Sequence, residues 1–344
     1  MNPIEWENNR IKIIDQTQLP HKLKFLYLDS IEKVKDAICK MKVRGAPALG
    51  VAAAFGVVVG VQDSTSRDFN QFKREVEGVC RFLRSSRPTA VNLSWALDRM
   101  YRVVVNNAEF SLDKIKQKLA EEALCIMEED RQCNRAIGEK GASLINDGDT
   151  VLTHCNAGVL ATAGYGTALS IIYQAKNEGK KVKVYVDETR PLLQGSRLTC
   201  WELLREAIEV TLICDSVAGE LMREGKINKV VVGADRVVAN GDAANKIGTY
   251  SLSVLAKENK VAFYVACPLS TIDLSIASGD EIPIEIRSDE EVTTFCGRRC
   301  APEGVDVYNP AFDITPSRYI SAIITERGIC RAPYEESLRI IFGG

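Results

Sequence analysis

Residues Val151–Gly158 read VLTHCNAG, an apolar run that ends in a histidine, a cysteine, an asparagine and two small residues. Cys155 offers a nucleophile, a base or a ligand. The Asn156-Ala157-Gly158 turn behind it lets backbone approach a small molecule closely. Taken alone, a cysteine after a strand is ordinarily packing, because a free thiol behaves as a small hydrophobe. VVVGADRV sets Asp235 after a second apolar run and a Gly-Ala pair. A carboxyl in an apolar pocket keeps its proton to higher pH and can donate it near neutrality. The plainer alternative is a cap or an ion pair with Arg236.

Other residues suit an anion. VRGAPALG holds Arg44-Gly45-Ala46-Pro47 at the entry to a helix, and SSRPTAVNLSWAL repeats the plan with Arg87 and Pro88. Proline fits the first turn, N–H groups there attract phosphate, and arginine adds a planar two-pronged donor. In NGDAANKIGT a turn comes first and Asn245-Lys246 then stands before a helix, where a lysine and backbone amides suit negative charge. DETRPLLQGSRLT carries Glu188, Arg190, Gln194 and Arg197 in a polar loop. The structural alternatives are arginines that cap neighbouring helices and a solvated loop. CGRRC, Cys296 to Cys300, suggests a metal clip, but structural zinc needs four ligands and the only histidines are His21 and His154. His154 does not make a pair with Cys155, since neighbours on a strand point to opposite faces. There is no GxGxxG, P-loop or HExxH.

The elements that must position these residues change character along the chain. Its 344 residues are 46% hydrophobic, which suggests about two domains. Net charge is −2, from 44 basic and 46 acidic residues, so no global field favours nucleic acid or membrane. The polar start MNPIEWENNR lacks an apolar signal core, and APALGVAAAFGVVVGV is too short to span a bilayer. Eleven scattered cysteines form no disulfide framework and point to a reducing cytoplasm. Short strands and then helical periodicity fill residues 1–130. From 131 to 344, short β-branched runs alternate with helices: DTVLTHC, KVKVYVDE, EVTLICD, KVVVGADR, VAFYVACP and IPIEIR. That pattern predicts an α/β fold with a parallel sheet covered on both faces. Active sites in such sheets lie beyond the carboxyl ends of the strands. Cys155, Asp187, Glu188, Asp215, Asp235 and Pro268 would then share one rim. GVDVYNPAFDITPSRYISAIITERG reads as an irregular loop followed by a closing strand or short helix.

VRGAPALGVAAAFG, SRPTAVNLSWALDRM, THCNAGVLATAGYGTALSII, VYVDETRPLLQGSRLT, VVVGADRVVANGDAANKIGTYSLSVLAK and FYVACPLSTID appear in order along the chain. Together they resemble the family of methylthioribose-1-phosphate isomerases, which also includes regulatory subunits of the translation initiation factor's nucleotide exchanger. The resemblance implies a small helical N-terminal domain and a Rossmann-like C-terminal domain, a homodimer, and no metal or organic cofactor. It implies conversion of 5-methylthioribose 1-phosphate to 5-methylthioribulose 1-phosphate in methionine salvage. By position it makes Cys155 and Asp235 the catalytic pair, and Arg44, Gly45, Ala46, Arg87, Gln194, Asn245 and Lys246 the substrate-binding residues. Cys300 departs from the family's pattern, where a threonine is expected, and lies away from these motifs.

The implied chemistry is specific. The anomeric oxygen carries phosphate and keeps it, so the usual opening to a free aldehyde is closed. Asp235 would protonate the departing ring oxygen. Cys155 would act at the next carbon, either as base toward a carbon-bound proton or as acceptor of a hydroxyl proton during a hydride shift. The competing functions are an isomerase of 5-deoxyribose 1-phosphate or ribose 1,5-bisphosphate, and a non-catalytic subunit that binds nucleotide or sugar phosphate.

Overall fold

Ala46–Val61 has no polar face, so a helix there must be covered on every side. In the computed structural model, which describes residues 1–343, it is the buried centre of one of two compact units. That unit comprises Met1–Arg135 together with Ala157–Thr167. It opens with an antiparallel sheet of β1 (Ile4–Glu7), β2 (Arg10–Ile14) and β3 (Phe25–Leu28). Helices α1 (Ile31–Cys39), α2 (Ala46–Val61), α3 (Phe69–Arg84), α4 (Val91–Val105) and α5 (Leu112–Ala142) follow. Ser30 and Asp68 cap α1 and α3 by accepting from the Lys33 and Gln71 backbone N–H groups. Trp6 stacks on Phe55 of α2 with centroids 5.0 Å apart, which seats the sheet on the helix.

Ala157–Thr167 follows Cys155 in sequence yet packs with this first unit. The Gln16 side chain donates to the Leu160 carbonyl at 2.7 Å, and the Ala163 N–H donates to Asp130 at 2.6 Å. Gly45 precedes α2 at φ 97°, and a Cβ there would lie 2.5 Å from the Cα of Ala161. Only glycine satisfies both the dihedral and the close approach.

The second unit comprises Ala136–Asn156 and the chain from Ala168 onward. Its strands are β4 (Thr150–Thr153), β5 (Lys183–Asp187), β6 (Glu209–Ile213), β7 (Lys229–Val232), β8 (Arg236–Val238), β9 (Ala243–Lys246), β10 (Ala262–Ala266) and β11 (Ile272–Asp273). The hairpin β12 (Thr294–Phe295) and β13 (Arg298–Arg299) comes next, then β14 (Phe312–Thr315), β15 (Ala322–Ile324) and β16 (Ile329–Cys330). The main sheet has the order β16-β15-β10-β7-β4-β5-β6. Six strands are parallel and β16 is antiparallel at one edge. Counted by appearance, the parallel strands run 6-5-4-1-2-3, so their order reverses between β4 and β7. Connections leaving those two strands diverge, which opens a crevice at their carboxyl ends. A smaller sheet, β11-β8-β9-β14, follows β7 in the chain.

Four local expectations need correction. IPIEIR is not a strand: Ile286 forms only an isolated bridge, to Pro310. Pro283 and Pro310 each remove a backbone donor that a continuous ladder needs. The supposed irregular loop contains β14, which pairs with β9 through Asp313 opposite Asn245. Asn245 and Lys246 therefore end a strand, and the helix begins later, at Thr249. The β6 run is not covered on both faces: it is an edge strand and Leu212 is half exposed.

Candidate active site at the strand ends

β4 and β7 pair in parallel, with Val151 opposite Lys229 and Leu152 opposite Val230. Cys155 follows β4 by two residues and Asp235 follows β7 by three. Eighty residues of chain separation thus become a step between neighbouring strand ends, about 4.8 Å apart. This is the point where the strand order reverses.

Cys155 adopts φ 62°, in the left-handed region that a side chain disfavours. Two threonine hydroxyls hold it there. Its N–H donates to Thr189 Oγ1 at 2.8 Å, and its carbonyl accepts from Thr199 Oγ1 at 2.6 Å. Thr189 is itself at φ 65° and fully buried. Its hydroxyl donates to the Asp187 carbonyl, while its N–H and that of Arg190 donate to the two oxygens of Asp215 at 2.7 and 2.8 Å. The surroundings over-determine this strained residue, as is usual where backbone strain serves a site. The next residue is clamped too: Asn156 donates to Thr199 and to the buried Glu202, which also accepts from Tyr173. Burial, then the Glu202 charge, push the Tyr173 hydroxyl well above its ordinary range, so it stays a donor.

Cysteine environments differ along this rim. Cys267 follows β10 but is fully buried, and burial pushes its thiol far up. Cys155 is only partly buried. A thiol that must ionise needs access and donors, not a sealed apolar pocket. Cys296 sits in the turn of the β12–β13 hairpin and Cys300 follows it, both as free thiols, and Cys300 Sγ lies 3.2 Å from the Thr293 carbonyl.

Gln194 lies in the loop after β5, just ahead of a π-helical turn over Gly195–Thr199. It is 4% exposed, and its Oε1 has no hydrogen-bond partner among the described residues. Such an acceptor is costly unless something supplies a donor. Gly195 approaches the end of β5 so closely that a Cβ would fall 1.7 Å from the Asp187 carbonyl oxygen. Gly195→Ala is therefore expected to cost about 3 kcal/mol or more, because backbone rather than a flexible side chain must give way. A urea midpoint unchanged from the parent protein would contradict this close approach.

Lys246 donates to the Ala311 carbonyl at 2.8 Å and lies 4.8 Å over the Phe312 ring. Asn245 donates to Thr249 Oγ1 at 3.0 Å. The amides expected near this helix start are not all open to an anion. Asp313 accepts from the Gly248 and Tyr250 N–H groups at 2.7 and 3.1 Å. Burial raises the Asp313 carboxyl to about 6 against the pull of those donors. Asp235 donates its backbone N–H to the Ala244 carbonyl at 2.9 Å, which ties the carboxylate's strand end to β9. Arg236 lies 3.7 Å from Asp273.

In the first unit, Arg44 is buried and its Nε donates to Gln16 at 3.0 Å. Gly45 and Ala46 make the turn into α2, with Pro47 in its first turn. Arg87 is half-buried, and its carbonyl accepts from the Ala90 N–H just ahead of α4.

Sequence reasoning missed the role of His154, the capping by Asp313 and the threonine clamp. None has a local signature, because the partners lie 33 to 93 residues apart in the chain. His154, Asp187 and Asp215 have ligand atoms within 4.8 Å of one another. The protein itself engages them: both Asp215 oxygens accept backbone N–H groups, and both His154 nitrogens have hydrogen-bond partners.

Residues 42–332 match the profile of the Initiation factor 2 subunit family, and the chain belongs to that family. It is 54% identical to methylthioribose-1-phosphate isomerase of Geotalea uraniireducens (strain Rf4), across 99% of this chain and 98% of that protein. It is 52% identical to a 5-deoxyribose 1-phosphate isomerase of Moorella thermoacetica (strain ATCC 39073 / JCM 9320), across 99% of this chain and 97% of that protein. Among solved structures, 5-methylthioribose 1-phosphate isomerase from Pyrococcus horikoshii OT3 matches with a TM-score of 0.92 and 44% identity, covering 99% of this chain and 96% of that one.

Proposed function

We propose that this protein is an aldose–ketose isomerase that converts 5-methylthioribose 1-phosphate into 5-methylthioribulose 1-phosphate in methionine salvage. The observation that carries this reading is the emergence of Cys155 and Asp235 from neighbouring parallel strands where the strand order reverses. The full-length similarity to isomerases of that name supports it. On the strand order we read the sheet as Rossmann-like.

In this reading Asp235 gives its proton to the ring oxygen as the bond from that oxygen to the anomeric carbon breaks. Cys155, as thiolate, then acts at C2. It takes the C2 proton to leave an enolate-like enediol and returns that proton to C1 as the C2 hydroxyl gives its own proton back to Asp235, or it takes the C2 hydroxyl proton while hydride moves from C2 to C1 and then passes that proton on to Asp235. Either way C2 ends as a carbonyl and C1 gains a hydrogen. Deuterium at C2 separates the routes, since a hydride shift carries the label to C1 while an enolate exposes it to exchange. Arg44, Arg87 and Lys246, with the Gly45–Ala46 turn, bind the phosphate, and Asn245 and Gln194 bind sugar hydroxyls. The unpartnered Gln194 oxygen suits such an acceptor role. We read the protein as a cytoplasmic homodimer. Its free cysteines accord with a reducing compartment, and the half-exposed Leu212 on edge strand β6 accords with a partner. No helix among the described residues is long and apolar enough to cross a membrane.

The relative named for 5-deoxyribose 1-phosphate keeps that substrate as the second reading. The test is to assay 5-methylthioribose 1-phosphate, 5-deoxyribose 1-phosphate and ribose 1,5-bisphosphate side by side. We expect the methylthio substrate to have the highest kcat/KM, by about tenfold or more over the bisphosphate. A preference for the bisphosphate would overturn the assignment, and a preference for the deoxy sugar would install the second reading.

A further inference from the structure

His154 precedes Cys155 and is 2% exposed. Its Nε2 is 2.8 Å from the Ile247 carbonyl oxygen, and its Nδ1 is 2.9 Å from Asp187 Oδ2. A carbonyl can only accept, so Nε2 carries a proton. The Nδ1–carboxylate contact needs a second proton between its two atoms. Without it, a ring lone pair would face a carboxylate in a buried setting. Ile247 directly follows Asn245-Lys246, and Asp187 ends β5. One imidazole therefore joins the end of β4, the end of β5 and the segment after β9. Gly248 makes room for it: a Cβ there would lie 2.9 Å from His154 Cε1.

We propose that His154 is a positioning residue for this isomerase: held as an imidazolium by Asp187, it fixes the Cys155 strand end and the Asn245–Lys246 segment in one register. This rests on the reading of those residues as the site. The carboxyls facing the ring are Asp187, Asp215 and Asp313; Glu188 and Lys246 are the next charges around them. Burial opposes a charged ring, but the Asp187 hydrogen bond and charge, the Ile247 carbonyl and the Asp215 charge outweigh it and hold the histidine above its ordinary range. Asp187 Oδ1 has no hydrogen-bond partner among the described residues and burial raises this carboxyl, so its charge depends on the ring for compensation.

Two measurements test this independently. The first needs no activity. The chain has two histidines, so ring-nitrogen NMR of the full-length protein labelled in histidine resolves His154 against His21. We expect both His154 nitrogens protonated at pH 7 and sensitive to Asp187→Asn. A neutral His154 ring at pH 7 would overturn the proposal even if the isomerase reading stood.

The second is kinetic. His154→Asn retains a donor for Asp187 and loses the link to Ile247, while His154→Gln extends a donor toward Ile247. We expect kcat to fall about 10- to 100-fold in His154→Asn, with Tm held and a smaller loss in His154→Gln. Equal losses in both variants, or losses that track Tm, would reduce His154 to a packing residue. Absence of isomerase activity in the parent protein would defeat the functional reading and leave the NMR result standing.

Discussion

We expect Cys155→Ser to lower kcat by about 10²–10⁴-fold while sugar phosphate still binds. The substitution keeps shape and removes an ionisable group, since a serine hydroxyl does not form an oxyanion near neutrality. The unusual φ of 62° survives, because the Thr189 and Thr199 hydroxyls hold the backbone of residue 155 rather than its side chain. Far-UV circular dichroism and Tm therefore stay close to the parent values, and calorimetric titration with the product still shows binding. Near-native turnover in this variant would return Cys155 to the packing role that free cysteines usually play.

Asp235→Asn has an effect of the same order, about 10²–10⁴-fold in kcat, for a different reason. The amide preserves size and leaves the backbone bond from residue 235 to Ala244 in place. What it lacks is a transferable proton for the ring oxygen. In the parent protein, activity should fall as pH rises through the pKa of the acid, because only the protonated form donates. In Asp235→Asn that alkaline limb should disappear along with most of the rate. A variant that kept both the rate and the limb would move the acid role to another group. The buried carboxyl of Asp313, raised to about 6, is the first to examine.

Particular residues show how much of this was legible beforehand. The apolar runs around Val151, Val184, Val230 and Phe263 announced strands because each is short, β-branched and uninterrupted. Ala46–Val61 announced a buried helix by its lack of any polar face. Residue type placed Cys155 and Asp235 on the rim only among several other candidates, and it was the family resemblance that joined them as a pair. IPIEIR deceived because alternation alone carries no information about whether a neighbouring strand can donate. Asn245-Lys246 deceived because NGDAANK has turn-like composition, and its strand partner, β14, lies far downstream in the register Asp313 opposite Asn245.

The chain's order of residues by itself determined which helix has no polar face, which runs favour strands, and which side chains carry usable chemistry, because these follow from local pattern and side-chain identity. Tertiary structure alone decided that β7 lies beside β4, so that residues 155 and 235 leave one edge together. It alone decided that Ala157–Thr167 packs with the first unit, and that His154 spans three chain segments. Those outcomes depend on strand order and long-range pairing, which the whole core selects at once, so no window of sequence contains them.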